Sequence, residues 1–507
     1  MSIEGPSYLR RLLVVAVICA FAATAVAGCG GSGDGGGSDE AAPTKATVGF
    51  SDKIITLDPD QAGGIPDVSA LHLLGGNLYR LTPDGKAVPG LAESATASAD
   101  ELTWTFKLRP NLKFSDGSPL TADDVVATIE RMRTDKANLF GSYMERVKSV
   151  KASSPTEVRI DVSAPYPSLP TVLAEPQSVI LPAGDLEKPD FFSEPISAGP
   201  YKLKSWGESN TLVMVRNPHF AGPKPEIEQI TFATVPDAND RLAQTQAGQI
   251  ELGVDLPPNL LSQMAPAAPQ VAKTFGFFAM SPNVKVSPTD EKGVREAINL
   301  AVDREQIVET VFDGNVDALA GFWPPTYPGY DPGISTEQDL DAARQALQGT
   351  KCENGCTMPL LYTESYAWSV QAATIVQRNL KEIGIDVKLE SVDFTTYYNK
   401  LIEGKTPLSM TFAYDYADIP DGLLLLSFSP GSSQWSYFEA PGQAKLVEET
   451  DQSSGAELER NLARVNDMFV AETPFSTLTA GAYVNAARFP KALFMGASGV
   501  INVAPGL

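Results

Sequence analysis

One apolar run constrains everything else in this 507-residue chain: Leu12 to Ala25, preceded by Arg10 and Arg11 and closed by Val26-Ala27-Gly28-Cys29. No later run approaches the roughly 18 residues that suggest a membrane span, so the chain behind Cys29 is expected to be globular. The run itself has the layout of an export leader, with a basic start, a short apolar stretch and small residues before a cut. A cysteine at that cut, followed by Gly30 to Glu40, which are nearly all Gly, Ser and acid, predicts a lipoprotein signal over 1–28 and a flexible linker over 29–43. Acylation of Cys29 on its thiol and on the new amine supplies the multiple chains that stable anchoring requires, which places the protein on the extracytoplasmic face of a cell membrane, in a periplasm or at a cell surface. Ala25-Val26-Ala27 is also an A-x-A site, and cleavage there would release a soluble chain instead. Gly28, Gly30 and Gly33 have dinucleotide-fingerprint spacing, but no strand pattern precedes them and no helix pattern follows, so no cofactor is implied.

Removal of residues 1–28 takes away Glu4, Arg10 and Arg11, leaving 37 basic and 61 acidic side chains. A surface this acidic argues against nucleic acid as a partner and against adhesion to anionic lipid. Behind the leader and Cys29, Cys352 and Cys356 flank Glu353-Asn354-Gly355, whose Asn-Gly pair is a turn signal. A local disulfide is the expected outcome. A metal site is the rival, but only His72 and His219 are available to complete it and neither has ligand spacing, so no metal is expected.

Along the chain, strand and helix periods alternate. Lys45 to Leu57 reads as an opening strand, and Thr103 to Arg109 alternates as a half-buried one. Thr121 and Asp124 suggest a capping box for a helix with Val125, Ile129 and Met132 on one face. Val294–Val302 and Arg304–Phe312 flank the N-cap Asp303. Val370, Ala373, Val376, Leu380 and Ile383 mark another helix, ended by Gly384. Ile385, Val387 and Leu389 then alternate as an edge strand, and Leu458, Leu462, Val465 and Phe469 stripe a helix stopped before Pro474. Alternation without a repeat period predicts α/β lobes.

Several blocks, in order, resemble the family 5 extracellular solute-binding proteins, the oligopeptide, dipeptide and nickel type that serve ABC importers. They are Leu57-Asp58-Pro59, then Asn77 to Lys86 and Pro89 to Ser94, Leu102 to Arg109 with Phe114 to Val125, Ser197 to Leu203 with Val215 to Pro218, Val294 to Asn299 through Asp303-Arg304, and Ile383 to Val387. The resemblance implies an α/β, two-lobed periplasmic-binding-protein-like fold with a hinge and an extra subdomain inserted in the first lobe. Lobe I is then expected at 44–75, 196–278 and 482–507, the insert at 76–195 and lobe II at 279–481. Each block also has a plain structural role as a turn, cap or strand end.

The resemblance further implies a monomeric receptor that hands a small solute to permease subunits in the membrane. Peptide-binding members carry, after a short strand, an acid that pairs with the ligand's α-ammonium, and the matching position is Asp418, with Asp415 and Asp421 as neighbouring alternatives. A carboxylate in a closed cleft makes a charge-assisted hydrogen bond to an ammonium. Tyr414, Tyr416 and Trp435 are candidate walls, as is the first-lobe loop Gly63 to Val68 through Ile65 and Asp67. A secreted hydrolase is the competing class, but G-x-S-x-G, H-E-x-x-H and P-loop motifs are all missing from the sequence, and its many carboxylates are unpaired by any motif. Oligosaccharides, opines and metal chelates are the other ligands that the same scaffold implies.

Overall fold

The structure, a computed structural model, describes residues 43–504 except 84, 85, 136, 137, 139, 187, 189, 208–210, 414–419 and 431–435. The leader and Cys29 lie outside the described residues, as do Tyr414, Asp415, Tyr416, Asp418 and Trp435. No helix among the described residues is long and apolar enough to cross a membrane.

Ten strands of the described chain form one sheet built around two long antiparallel neighbours, Ala268–Pro282 and Ser476–Ala487. On one side of this pair lie Leu408–Ala413, Cys356–Thr363 and, at the edge, Ile385–Val392. On the other lie Leu252–Gly253, Lys45–Phe50, Gln229–Thr234, Leu212–Arg216 and Tyr201–Trp206. The pair serves both sides in turn. Ala268 to Lys273 pair with Ala487 to Ala482 in one half, and Phe277 to Met280 pair with Ala480 to Ser476 in the other. Between them the register breaks over Thr274 to Gly276. At this break a Cβ on Gly481 would lie 2.4 Å from Thr274 Oγ1 and 2.9 Å from the Phe412 ring, so the strands come together only around a glycine.

Each half has its own core. Val48, Phe50, Met214, Phe232, Leu252 and Ile501 fill one, and Val294, Ile298, Ile307, Leu360, Val376, Val387 and Met410 fill the other. A third core, with Phe106, Val125, Ile129, Val158 and Ile160, belongs to an antiparallel four-stranded sheet in the order Ala92–Ala97, Thr103–Leu108, Glu157–Val162, Val147–Ser154, packed on helix Ala122–Thr134. This is the α/β, two-lobed arrangement with an inserted subdomain.

Local chemistry explains the elements. Asp124 Oδ2 accepts from Thr121 N at 2.8 Å and completes the capping box, while Asp303 Oδ1 accepts from Gln306 N at 2.9 Å. Asn217 Nδ2 donates to Gly199 O at 2.8 Å, tying together the two segments of one sequence block. Cys352 and Cys356 are joined as a disulfide. Two expectations need correction. The opening strand stops at Phe50, because Ser51 onward leads into a loop toward helix Ile65–Leu74. In helix Ala367–Glu382, Val370 is 38% exposed, since Ser369, donating to Thr363 O at 2.8 Å, takes the inward position of the first turn.

An ion cluster joins the insert to the first lobe. Arg131 Nη2 donates to both oxygens of Asp58 at 2.8 Å, its Nη1 lies 3.1 Å from Asp60 Oδ2, and its guanidinium covers the Phe192 ring at 4.8 Å.

Candidate functional site

A cavity of about 240 Å³ opens where the two sides of the sheet meet. One wall is aromatic because the first crossing strand and its neighbour place Phe278 and Phe412 in register, with ring centroids 4.7 Å apart. Phe278 also packs on Trp368 at 4.4 Å and stacks on Phe312 at 5.4 Å, and Tyr366 meets Phe394 edge-on at 6.0 Å. Tyr366, Ala367 and Trp368 belong to the first turn of helix Ala367–Glu382, which therefore begins at the cavity.

The opposite wall comes from the first lobe and the insert: Gly63, Ile65 and Val68, then Glu175 to Gln177, then Asp255 and Leu256, with Val484 and Val500. Glu175 and Asp255 are the only charged residues among the described lining, which includes no Lys, Arg or His. Gln177 is 4% exposed, and its Oε1 is buried without a donor among the described residues.

Asp255 is held in an unusual backbone state, with φ of 52° in the left-handed region. Two clamps hold it there. Its N–H donates to Asn485 Oδ1 at 3.0 Å, and its carbonyl accepts from Arg241 Nη2 at 2.8 Å. Arg241, 2% exposed, also donates to the carbonyls of Val235, Pro236 and Val254, so its charge is absorbed by main chain. The Asp255 side chain keeps contact with the cavity. Asp255 is itself exposed at the cleft, while the protein atoms packed around its carboxyl desolvate it enough to raise its pKa against the lowering pull of Arg241. Strain and a desolvated acid in one residue at a cleft are the combination expected of a binding group.

Of the residues singled out from sequence, Ile65 lines the cavity. Asp67 does not. It is 2% exposed, and its Oδ1 accepts from Ile55 N at 2.7 Å and Thr56 N at 3.5 Å, so it braces the loop ahead of its helix. Asp421 falls in helix Pro420–Phe428. His72 is desolvated, which pushes its pKa down to about 4 and keeps it neutral, and the His219 main-chain N–H donates to Asn217 Oδ1 at 2.9 Å in a turn. No group of His, Cys, Asp and Glu able to hold a metal ion occurs among the described residues. Sequence reading passed over Asp255, although Val254-Asp255-Leu256-Pro257-Pro258 carries a turn signal in its double proline.

Residues 86–435 match the profile of the bacterial extracellular solute-binding proteins, family 5, middle region. The chain belongs to this family. Among curated relatives, the family 5 chain is 27% identical to the glutathione-binding protein GsiB of Escherichia coli K12 over 358 residues, covering 68% of this chain and 69% of that one. Solved structures share its fold. NikA from Brucella suis in complex with Fe(III)-EDTA superposes with a TM-score of 0.82 at 24% identity, covering 91% of this chain and 99% of NikA. The ABC transporter-associated periplasmic binding protein DppA from Helicobacter pylori, in complex with the peptide STSA, gives 0.74 at 20% identity, covering 90% and 96%. As a family 5 member the chain is a solute-binding protein, and the interlobe cavity is the place its fold provides for the solute.

Proposed function

We propose that the mature chain, lipid-anchored through Cys29, is the receptor of an ABC importer, binding peptides or similar amine-bearing solutes between its lobes as a monomer and delivering them to the permease subunits without chemical turnover. Lobe I is proposed at 44–75, 196–278 and 482–507, the insert at 76–195 and lobe II at 279–481. The observation that carries the ligand class is the charge of the cavity: its described walls hold Asp255 and Glu175, aromatic rings and no cation. Such walls favour an ammonium with an apolar body, through a charge-assisted hydrogen bond and cation–π attraction. The relatives' names point the same way, since GsiB is a glutathione-binding protein and DppA was solved with a peptide. Asp255 is proposed as the first-lobe partner of the ammonium, and Asp418, carried over from the family resemblance, as the second-lobe partner.

Calorimetry with the dipeptide Ala-Phe and its N-acetyl form tests this on wild type, Asp255→Asn and Asp418→Asn. Leaving an ammonium unpaired in the cleft costs about 2–5 kcal/mol, or a loss of roughly 30-fold or more. Each substitution should weaken Ala-Phe and leave the N-acetyl form unchanged. Equal binding of the two peptides by wild type would remove the amine from the reading, and a membrane-fraction protein that stays there as Cys29→Ala would remove the anchor.

A further inference from the structure

A second cavity of about 240 Å³ lies between chain of the first lobe and chain of the insert, and it shares no lining residue with the solute cleft. Its described walls hold two arginines, Arg80 and Arg109, and no Asp or Glu, in a chain with 62 acidic and 39 basic residues. Arg131 and Arg241 are neutralised by carboxylates and by main chain, but these two are not. Among the described residues the Arg80 side chain has no hydrogen-bond acceptor or ion-pair partner, and the Arg109 side chain has the Gly90 carbonyl alone, which accepts from its Nε at 2.7 Å. Glu93 feels the Arg109 charge but is itself paired with Lys107 at 2.6 Å.

On open surface such guanidiniums are simply hydrated. Here both are fixed at one cavity. Gly90, which anchors Arg109, lines the cavity; its N–H donates to Leu78 O at 3.1 Å, and a Cβ on it would stand 2.6 Å from Asn77 O. Its loop is therefore pressed against the chain entering strand Tyr79–Leu81, which carries Arg80. The Arg80 charge reaches the same cavity, because it helps to lower the pKa of His72, another lining residue. Helix Ile65–Leu74 ends nearby, and its dipole opposes an anion, but with about half a charge against two whole ones. Its Leu71 and Leu74 carbonyls are also taken, by the N–H groups of Gly75 and Gly199 at 2.6 and 2.8 Å.

We propose that this cavity binds a small, doubly charged oxyanion of the phosphate class, held by Arg80 and Arg109. Two fixed cations match a dianion in charge, and the planar fork of each guanidinium matches pairs of its oxygens. The volume suits a phosphate with little attached to it. The site is distinct from the solute cleft in walls and in sign, since the described cleft lining holds acids and no cation.

His72 supplies the reporter. The chain has two histidines, so the mature protein grown with isotope-labelled histidine gives two imidazole signals in an NMR spectrum, and His219→Gln assigns them. Inorganic phosphate, titrated at about pH 8 where it carries two charges, should move the His72 signal saturably. Sodium acetate and sodium chloride at equal ionic strength should leave it nearly still. Arg80→Gln and Arg109→Gln should each weaken phosphate roughly 10-fold or more, and Arg80→Lys, which keeps the charge without the fork, should fall between wild type and Arg80→Gln. A His72 signal that phosphate does not saturate, or that acetate saturates at the same concentration, overturns the oxyanion site. That comparison needs wild type alone, so it decides the matter even where a variant fails to fold. Unchanged phosphate affinity in both Gln variants overturns the assignment to these arginines.

Discussion

Replacing Asp60 by Asn should make the protein more stable, and increasingly so as pH rises. Asp60 is 1% exposed, and burial, the largest influence, lifts its pKa from 3.8 to about 6. Arg131 opposes the rise. Its Nη1 stands 3.1 Å from Asp60 Oδ2 without the alignment of a hydrogen bond, whereas its Nη2 is fully engaged by Asp58. Asp58 and Asp135 add like-charge repulsion. A carboxyl with a raised folded pKa binds its proton more tightly folded than unfolded. Its contribution is therefore complete below the unfolded value near 3.8 and is lost as pH climbs through about 6. At 1.36 kcal/mol per unit, a shift of this size makes the advantage of Asp60→Asn grow by about 2 kcal/mol between pH 4.5 and 7.5. Urea unfolding of both proteins across that range reads the difference directly, and the many other carboxylates cancel because the two proteins share them. Arg131→Leu is the control, since loss of the cation that opposes the rise should steepen the dependence. A flat difference, or one that favours wild type at high pH, would show that the ion pair outweighs desolvation and refute the reasoning.

Gly481→Ala should destabilise the protein by about 1–3 kcal/mol and alter ligand affinity, because its Cβ would meet Thr274 Oγ1 at 2.4 Å where the strands cross; urea titration and calorimetry measure the two effects. Arg304, buried enough that its pKa falls to about 10, donates to the carbonyls of Leu319, Thr477 and Asn299, so Arg304→Met should cost about 3 kcal/mol or more in denaturant unfolding by leaving those acceptors bare. Opening the Cys352–Cys356 bridge with the double Ala variant should lower stability by about 2 kcal/mol, as expected of so short a closed loop, and leave Ala-Phe affinity unchanged in calorimetry.

Elements whose cause is local were legible in the sequence. Thr121 and Asp124 announce a cap, Asp303 another, and the alternation of Ile385 to Leu389 an edge strand, because each signal and its partner lie within a few residues. The crossing pair was not legible, since the partnership of Ala268–Lys273 with Ala482–Ala487 joins segments more than 200 residues apart in the chain. The cleft divides in the same way. Ile65 lies in the segment 63–68 singled out from sequence, whereas Asp255 acquires its character from Arg241 and Asn485, and Trp368 lies two residues ahead of the apolar stripe that marks its helix. Asp67 shows the converse. An acid in a promising loop was claimed by the backbone of Ile55, a contact no spacing rule encodes.

The shared ladder of Ala268–Pro282 and Ser476–Ala487 also sets how the protein can pass from empty to loaded. Lobes tied by loose linkers would lose the freedom of every linker residue on closing, at about 1–2 kcal/mol each. Here the connection is already ordered on both sides of a short interruption, so few main-chain torsions remain to be fixed. Little of a solute's contact energy is then diverted into ordering the connection, and a small ligand can command the posture of a chain many times its size. The same economy limits the range of postures, so the membrane partner meets a small set of surfaces rather than a continuum.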